Sequence, residues 1–516
     1  MTPYAQTGGL GDVVGALSSE LAELGHEVTC CLPFYRCVRD VAREAKPIGL
    51  TLSIPLGNRT VAGDVLELRQ RDGVRVLFVR HDEFFDRPEL YYTGVRDYED
   101  NAERFLFFSK AVAELAGYTR FQADIVHCHD WQAAFAAVEV EHRTQAGRPQ
   151  PGTVAPPSGG TTAVPRLTSA ATDGMLAPPR PRTVLTIHNV AYQGMFRSKE
   201  FLLTNLPGEF FTPETLEFYG QMNLLKGGIV FADAITTVSK TYAKEILTRE
   251  NGFGLEGVLA TRADDLHGIV NGVDYTRWNP ETDPYLAQRY HIDDMSGKRV
   301  CRDELLGKLG LDARGEGPSS ALGKRGYNGD GQALAGFVSR LTEQKGVEVL
   351  IGAIEELVEA GVMLAILGRG ERKYEKLLTG VAAEFPGQVA VRIAHDDELA
   401  HQIQAGADVL LMPSHFEPCG LTQLYALKYG TIPVVRATGG LEDTVAAYDA
   451  QTGEGTGFKF APYTSAALVE TMQRAISLHK QPKKWQKLMR NAMASDFSWQ
   501  ASVKEYEKLY VAIKER

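Results

Sequence analysis

Glu417 is the only acid between an apolar run at 409–412 and Gly430, in the sequence Phe416-Glu417-Pro418-Cys419-Gly420-Leu421. A carboxylate in a desolvated loop needs a ligand or a cation to match its charge; the plainer reading is a salt-bridged loop acid. Upstream, Arg340 and Lys345 lie five residues apart after another apolar run at 334–338, just before Gly346. Two such cations can converge on one anion, Arg as a planar fork and Lys as a point charge. Two arbitrary cations are more often only a solvated loop. Glycine turns occur twice, at 7–12 (Thr7-Gly8-Gly9-Leu10-Gly11-Asp12) and at 438–441 (Thr438-Gly439-Gly440-Leu441). Each precedes a helical pattern, where close backbone approach and helix-start amides suit a phosphate or a sugar hydroxyl. His188-Asn189 and His127-x-His129-Asp130 each end a strand-like run. Such groups can bond sugar hydroxyls or steady a developing charge, although for His127 a satisfied core histidine is the better reading. Asn271-Gly272-Val273-Asp274 is turn-like by composition.

The elements that must hold these residues alternate between strand and helix. Strands are predicted at 28–32, 74–79, 125–128 and 183–187, with a long helix at 101–115. After a break the alternation restarts, with strands at 334–338, 363–367, 389–393, 409–412 and 432–435. That pattern predicts parallel sheets with crossover helices. The fold class is α/β, two Rossmann-like doubly wound domains facing a central cleft, in which ligands bind beyond the carboxyl ends of strands. The expected division is 1–275, with a disordered insertion at 143–183, then 276–495, with a loop at 312–332. Residues 143–183 hold eight of the 24 prolines and no aromatic residue. The last segment, 496–516, carries Trp499, Val503, Tyr506, Tyr510 and Ile513 on one helical face and is expected to cross back to the first domain.

Length alone calls for two or more domains. Hydrophobic residues make up 44% and charged residues 23%, and the net charge is −10 with no basic tract. A nucleic-acid partner is not expected, nor a membrane one, since no apolar run approaches bilayer length. Six cysteines without a C-x-x-C pair, and no signal-peptide pattern, suggest reduced thiols in the cytoplasm, or in a plastid were the source a plant or alga. No motif of metal-ligand spacing occurs.

Together these stretches resemble the bacterial glycogen synthase and plant starch synthase family, retaining glucosyltransferases of the two-Rossmann-domain (GT-B) type. The resemblance runs through TGGLGDVVGAL (7–17), HCHDWQ (127–132), TIHNVAYQG (186–194), GIVNGVDYTRWNP (268–280), SRLTEQKG (339–346), PSHFEPCGLTQLYALKYG (413–430) and TGGLEDTV (438–445). It implies glucose transfer from a nucleotide-sugar, ADP-glucose in bacteria, to the non-reducing end of an α-1,4-glucan acceptor, with no cofactor and no metal. Carried onto matching positions, Arg340 and Lys345 hold the diphosphate. Glu417 bonds the glucose hydroxyls, with amides of Cys419, Gly420 and Leu421. Thr438, Gly439 and Gly440 add amides near the phosphates, and Gly8 and Gly9 form the other glycine turn. His188 and Asn271 lie beside the glucose, and Asp130 lies at the sugar or acceptor side.

Three departures stand out. Gln6 replaces the family's Lys, which predicts weaker donor binding. The family begins with a strand ahead of Thr7, for which Met1 leaves little room; the expectation is a truncated chain or a late start, with a sheet lacking a central strand. His395 stands where many members have an aromatic residue, at a position expected to border the adenine. Rival readings are another retaining transferase of this architecture and a catalytically weakened glucan-binding relative. FEPCGLTQLYALKYG speaks against the first, and intact Arg340, Lys345 and Glu417 against the second.

Overall fold

The computed structural model describes residues 1–5, 9–93, 96–118, 120–145, 180–312 and 332–516. Gln6, Thr7 and Gly8, most of the 143–183 insertion and nearly all of the 312–332 loop lie outside them. The chain forms two compact units. The first comprises Met1–Val238, Ala243–Ile269 and Ser502–Arg516; the second comprises Ser239–Tyr242 and Val270–Ala501. The second unit starts at Val270 rather than 276, so Asn271 belongs to it.

In the first unit the strands are β1 (Thr29–Pro33), β2 (Lys46–Leu56), β3 (Arg59–Arg69), β4 (Arg75–Arg80), β5 (Ile125–His129), β6 (Arg182–Ile187), β7 (Met195–Arg197), β8 (Glu217–Phe218), β9 (Gln221–Asn223), β10 (Ala234–Thr237) and β11 (Leu266–Gly268). One four-stranded sheet has the order β1-β4-β3-β2, another the order β11-β10-β6-β5, and β7-β9-β8 make a small third. Only the second is parallel throughout. In the first, β1 and β4, the strands expected at 28–32 and 74–79, pair in parallel, and β2 and β3, which the sequence pattern did not predict, add an antiparallel hairpin around Gly57-Asn58. Its residues alternate buried and exposed at 52–56, the mark of a sheet with one wet face. The helix Asn101–Ala116 buries Phe105, Leu106, Phe107 and Ala111 fully. The helix Trp499–Lys514 buries Val503, Tyr506 and Ile513, and its residues from Ser502 belong to the first unit.

The second unit carries β12 (Ala333–Val338), β13 (Val362–Gly368), β14 (Val389–Ile393), β15 (Val409–Met412), β16 (Ile432–Arg436) and β17 (Phe458–Phe460). Every neighbouring pair is parallel, and the order is β14-β13-β12-β15-β16-β17. Counting from β12, this is 3-2-1-4-5-6, the order of a dinucleotide-binding sheet. β13 is buried at all seven residues, as a strand covered by helices on both faces must be. The order reverses between β12 and β15. Loops leave both strands at the same carboxyl edge, where a crevice opens in folds of this kind.

No helix among the described residues is long and apolar enough to cross a membrane. All six cysteines are free; Cys30, Cys128, Cys301 and Cys419 are buried and only Cys37 is exposed.

Candidate active site

The loops after β12 and β15 are wedged together at the switch point. Gly346 has φ +69°, and a Cβ there would stand 1.9 Å from the Pro413 carbonyl oxygen, so only glycine fits. The His415 amide donates to the Gln344 carbonyl at 2.8 Å. This contact brings Lys345 to Glu417, Nζ to Oε2, at 2.5 Å. Ser414 Oγ donates to the same carboxylate oxygen at 3.0 Å. The Glu417 side chain is 5% exposed and that of Lys345 17%. Arg340 is exposed, and its guanidinium bonds Gln344 Oε1 at 3.3 Å. Sequence reasoning did not single out Gln344 or Ser414; their partners are 72 and three residues away, and only the fold sets the first.

Two glycine turns meet behind Glu417. A Cβ on Gly440 would lie 2.1 Å from the Cys419 carbonyl oxygen, and the Gly440 amide donates to the Glu417 carbonyl at 2.9 Å. The Thr438 amide donates to the Arg436 carbonyl at 3.0 Å. The amides of Thr438 and Gly440, expected to face a ligand, are thus engaged within the protein. Those of Cys419, Gly420 and Leu421 make no hydrogen bond among the described residues. Gln423 fixes this turn by donating to the Cys419 and Gly420 carbonyls at 2.9 and 3.0 Å. Burial pushes the Cys419 thiol up to about 12, against hydrogen bonds from Asn271 that lower it. The thiol is therefore neutral at physiological pH. Asn271 is buried, and its Oδ1 has no hydrogen-bond partner among the described residues. His395 is exposed in the loop after β14, an edge strand two places from β12.

In the first unit, Asp130, His188 and the intervening His129 form one cluster at the ends of β5 and β6. Asp130 opens the helix Asp130–Gln145 with φ +55°, and its Oδ1 accepts the His188 amide at 2.8 Å. Burial pushes the Asp130 carboxyl up to about 7, against amides of His188 and Asn189 that lower it. His129 Nδ1 and His188 Nε2 share a hydrogen bond at 3.1 Å. Burial lowers His188 to about 3 and His129 well below its usual value, so both rings are neutral. His127 is satisfied on both nitrogens, by Tyr510 at 2.7 Å and Thr186 at 2.6 Å. Gly9 caps the helix Leu10–Glu23 and is exposed; Gln6 and Gly8 fall outside the described residues.

Chemically, the second unit presents two cations, a buried carboxylate and three unengaged amides at one sheet edge. That set can take an anion beside a hydroxyl-rich group. Residues 1–153 and 161–261 match the model of the starch synthase catalytic domain, and 324–492 that of glycosyl transferases group 1. A glycogen synthase of Koribacter versatilis is 40% identical over 99% of this chain and 96% of its own length. One from Opitutus terrae is 41% identical over 98% and 97%. The chain belongs to the glycogen and starch synthase family. Its activity is that family's glycosyltransferase activity, on the GT-B fold. The catalytic domain of starch synthase IV from Arabidopsis thaliana, solved bound to ADP and acarbose, superposes with a TM-score of 0.84 at 30% identity, covering 100% of this chain and 98% of that one. A sucrose-phosphate synthase from Thermosynechococcus elongatus shares the fold at a TM-score of 0.56 and 16% identity.

Proposed function

We propose that this chain transfers glucose, with retention of configuration, from ADP-glucose to the non-reducing end of an α-1,4-glucan, without metal or other cofactor. The observation that carries the reading is the convergence of the Arg340–Lys345 loop and Glu417 at the switch point of the second unit's sheet. The ADP and acarbose bound to the Arabidopsis relative support the same donor and acceptor classes. In this reading Arg340 and Lys345 draw off charge from the departing diphosphate. Glu417 and the amides of Cys419, Gly420 and Leu421 bond the glucose hydroxyls, and the orphaned Asn271 Oδ1 accepts another. The new glycosidic bond forms on the face the nucleotide leaves, with the phosphate oxygen taking the acceptor proton.

The test is incorporation of labelled glucose into glycogen from ADP-glucose and from UDP-glucose, with and without EDTA. The expected outcome is a preference for ADP-glucose, no effect of EDTA, an α-linkage by NMR, and a loss of about a hundredfold or more in Arg340→Ala. Full activity in that variant refutes the assignment of Arg340.

A further inference from the structure

Two exposed aromatic rings of the first unit stand on backbone that aromatic residues avoid. In the hairpin β8–β9, Phe218 lies opposite Gln221, so Tyr219 and Gly220 are its two-residue loop. Both have positive φ, +48° and +78°, the geometry in which asparagine, aspartate or glycine usually stands first. A tyrosine there is strained, and at 83% exposure burial of the ring offsets little of that strain. A second turn, Phe253-Gly254, repeats the pattern with φ +51° and +85°, and Phe253 is 42% exposed.

The two turns adjoin and are held firmly. A Cβ on Gly254 would stand 3.0 Å from Phe218 Cζ and 3.8 Å from Tyr219 Cε2, and the Phe218 ring meets that of Tyr219 edge-on at 4.7 Å. The Gly220 amide donates to Glu217 Oε1 at 2.6 Å. Lys226, a buried cation, donates to the carbonyls of Pro213 and Glu217 at 2.5 Å each and fixes the base of the hairpin. Gln193 Nε2 donates to the Phe253 carbonyl at 3.0 Å, and its Oε1 accepts from Asn223 at 2.7 Å, which ties the second turn to β9. Strained backbone persists where the surroundings over-determine it, and it clusters at ligand contacts. Rings held in this way lose little freedom when a ligand packs on them.

The ligand that suits an exposed aromatic face is apolar on its own faces and polar at its rim. A pyranose is such a ring, with C–H bonds on its faces and hydroxyls around its edge. The small sheet follows directly from the carboxyl end of β6, the strand end that carries His188, and α/β folds bind ligands at that edge. We infer that Tyr219 and Phe253 form a glucan-holding platform, a second binding site on the first unit apart from the residues assigned to transfer. It takes glucose units of an α-1,4-glucan by stacking, and it rests on the acceptor class proposed above. A polymer held here keeps its other units at high effective concentration.

The test measures glycogen binding without donor, by co-sedimentation of the full chain with glycogen, and then transfer kinetics on glycogen and on maltotriose. Tyr219→Asn should weaken glycogen binding by about fivefold and raise the KM for glycogen by a similar factor, with kcat and the KM for maltotriose unchanged. Its melting temperature should rise by about 1–3 °C, because asparagine suits the turn. Tyr219→Phe, which keeps the ring face, should bind as the parent does. Leu377→Asn, which removes an exposed apolar side chain of the second unit, should change nothing. Undiminished binding in Tyr219→Asn overturns the proposal. So does an equal loss in Leu377→Asn, which marks general apolar adsorption. An equal loss in Tyr219→Phe also overturns it, by assigning the contact to the hydroxyl, and a lowered melting temperature in Tyr219→Asn does so by making the ring structural. Binding is read without donor, so a parent that holds glycogen through Tyr219 but transfers no glucose refutes the proposed function and leaves this site standing.

Discussion

Replacing Lys345 by Met should destabilise the second unit far more than replacing Glu417 by Gln, although each breaks the same 2.5 Å pair. The asymmetry follows from burial. Without Lys345, the Glu417 carboxylate, 5% exposed, keeps among the described residues only Ser414 as a partner within hydrogen-bond reach of Oε2. A buried charge stripped of its partner costs about 3–5 kcal/mol. Without the Glu417 charge, Lys345 is 17% exposed and its flexible stem can turn the ammonium to water. That loss is about 1 kcal/mol. The double variant removes both charges and should cost about 1–2 kcal/mol. The two single losses thus exceed the double by roughly 2–5 kcal/mol, well beyond the ~0.5 kcal/mol within which independent sites add. Lys345→Met alone should lower the melting temperature by about 6–20 °C. The assay is thermal and urea unfolding of all four proteins, with amide exchange at β12 and β15 locating the change. Glucose transfer is measured in parallel. A double variant that regains stability but stays inactive separates the pair's chemical role from its structural one. Additive losses, or a Lys345→Met cost under about 1 kcal/mol, refute the account of a desolvated pair.

Gly346→Ala should cost about 3 kcal/mol or more, because a Cβ there meets the Pro413 carbonyl at 1.9 Å and φ is positive; a melting temperature within 2 °C of the parent's would contradict the wedge. Asp130 keeps its proton up to about pH 7 in the folded chain, whereas the unfolded chain releases it near 3.8. The native state therefore holds the extra proton between those values, and this carboxyl's contribution to stability falls as pH rises through them. The histidines, lowered by burial, act in the opposite sense, so the difference between Asp130→Asn and the parent isolates the carboxyl. That difference in urea midpoint should grow in the variant's favour from pH 4.5 to 7, and a flat difference would show that Asp130 is not desolvated. Gln6→Lys should lower the donor KM, up to about tenfold, if a charged contact replaces a neutral one; unchanged KM and kcat would place Gln6 away from the donor.

Much of the second unit was legible because its strands are short, nearly continuous apolar runs punctuated by glycine and proline. β15 and β16 read directly as 409–412 and 432–435. The hairpin β2–β3 was less legible: its strands alternate buried and exposed residues and so lack the continuous apolar run that marks the parallel strands. β17 has three residues, too few to carry a period. At the site, Glu417, Arg340 and Lys345 were legible because each follows a strand end. Their pairing was not, since Lys345 meets Glu417 across 72 residues by virtue of a parallel register. The engagement of the Thr438 and Gly440 amides was not legible for the same reason: a glycine turn has one sequence whether its donors face a ligand or a neighbouring carbonyl. The joining of His129 to His188 depends on β5 and β6 being neighbours.

The first unit is sewn shut by residues from Ser502 to Arg516, and this has a consequence for biosynthesis. When Ile269 leaves the ribosome, the wall that supplies Tyr510 to His127 has not been translated. Everything from Val270 to Ala501 must be made first. At the usual elongation speed of about 5–20 residues per second, that wait is about 10–50 s. During it the nascent amino-terminal half stands incomplete, open to chaperones and proteases.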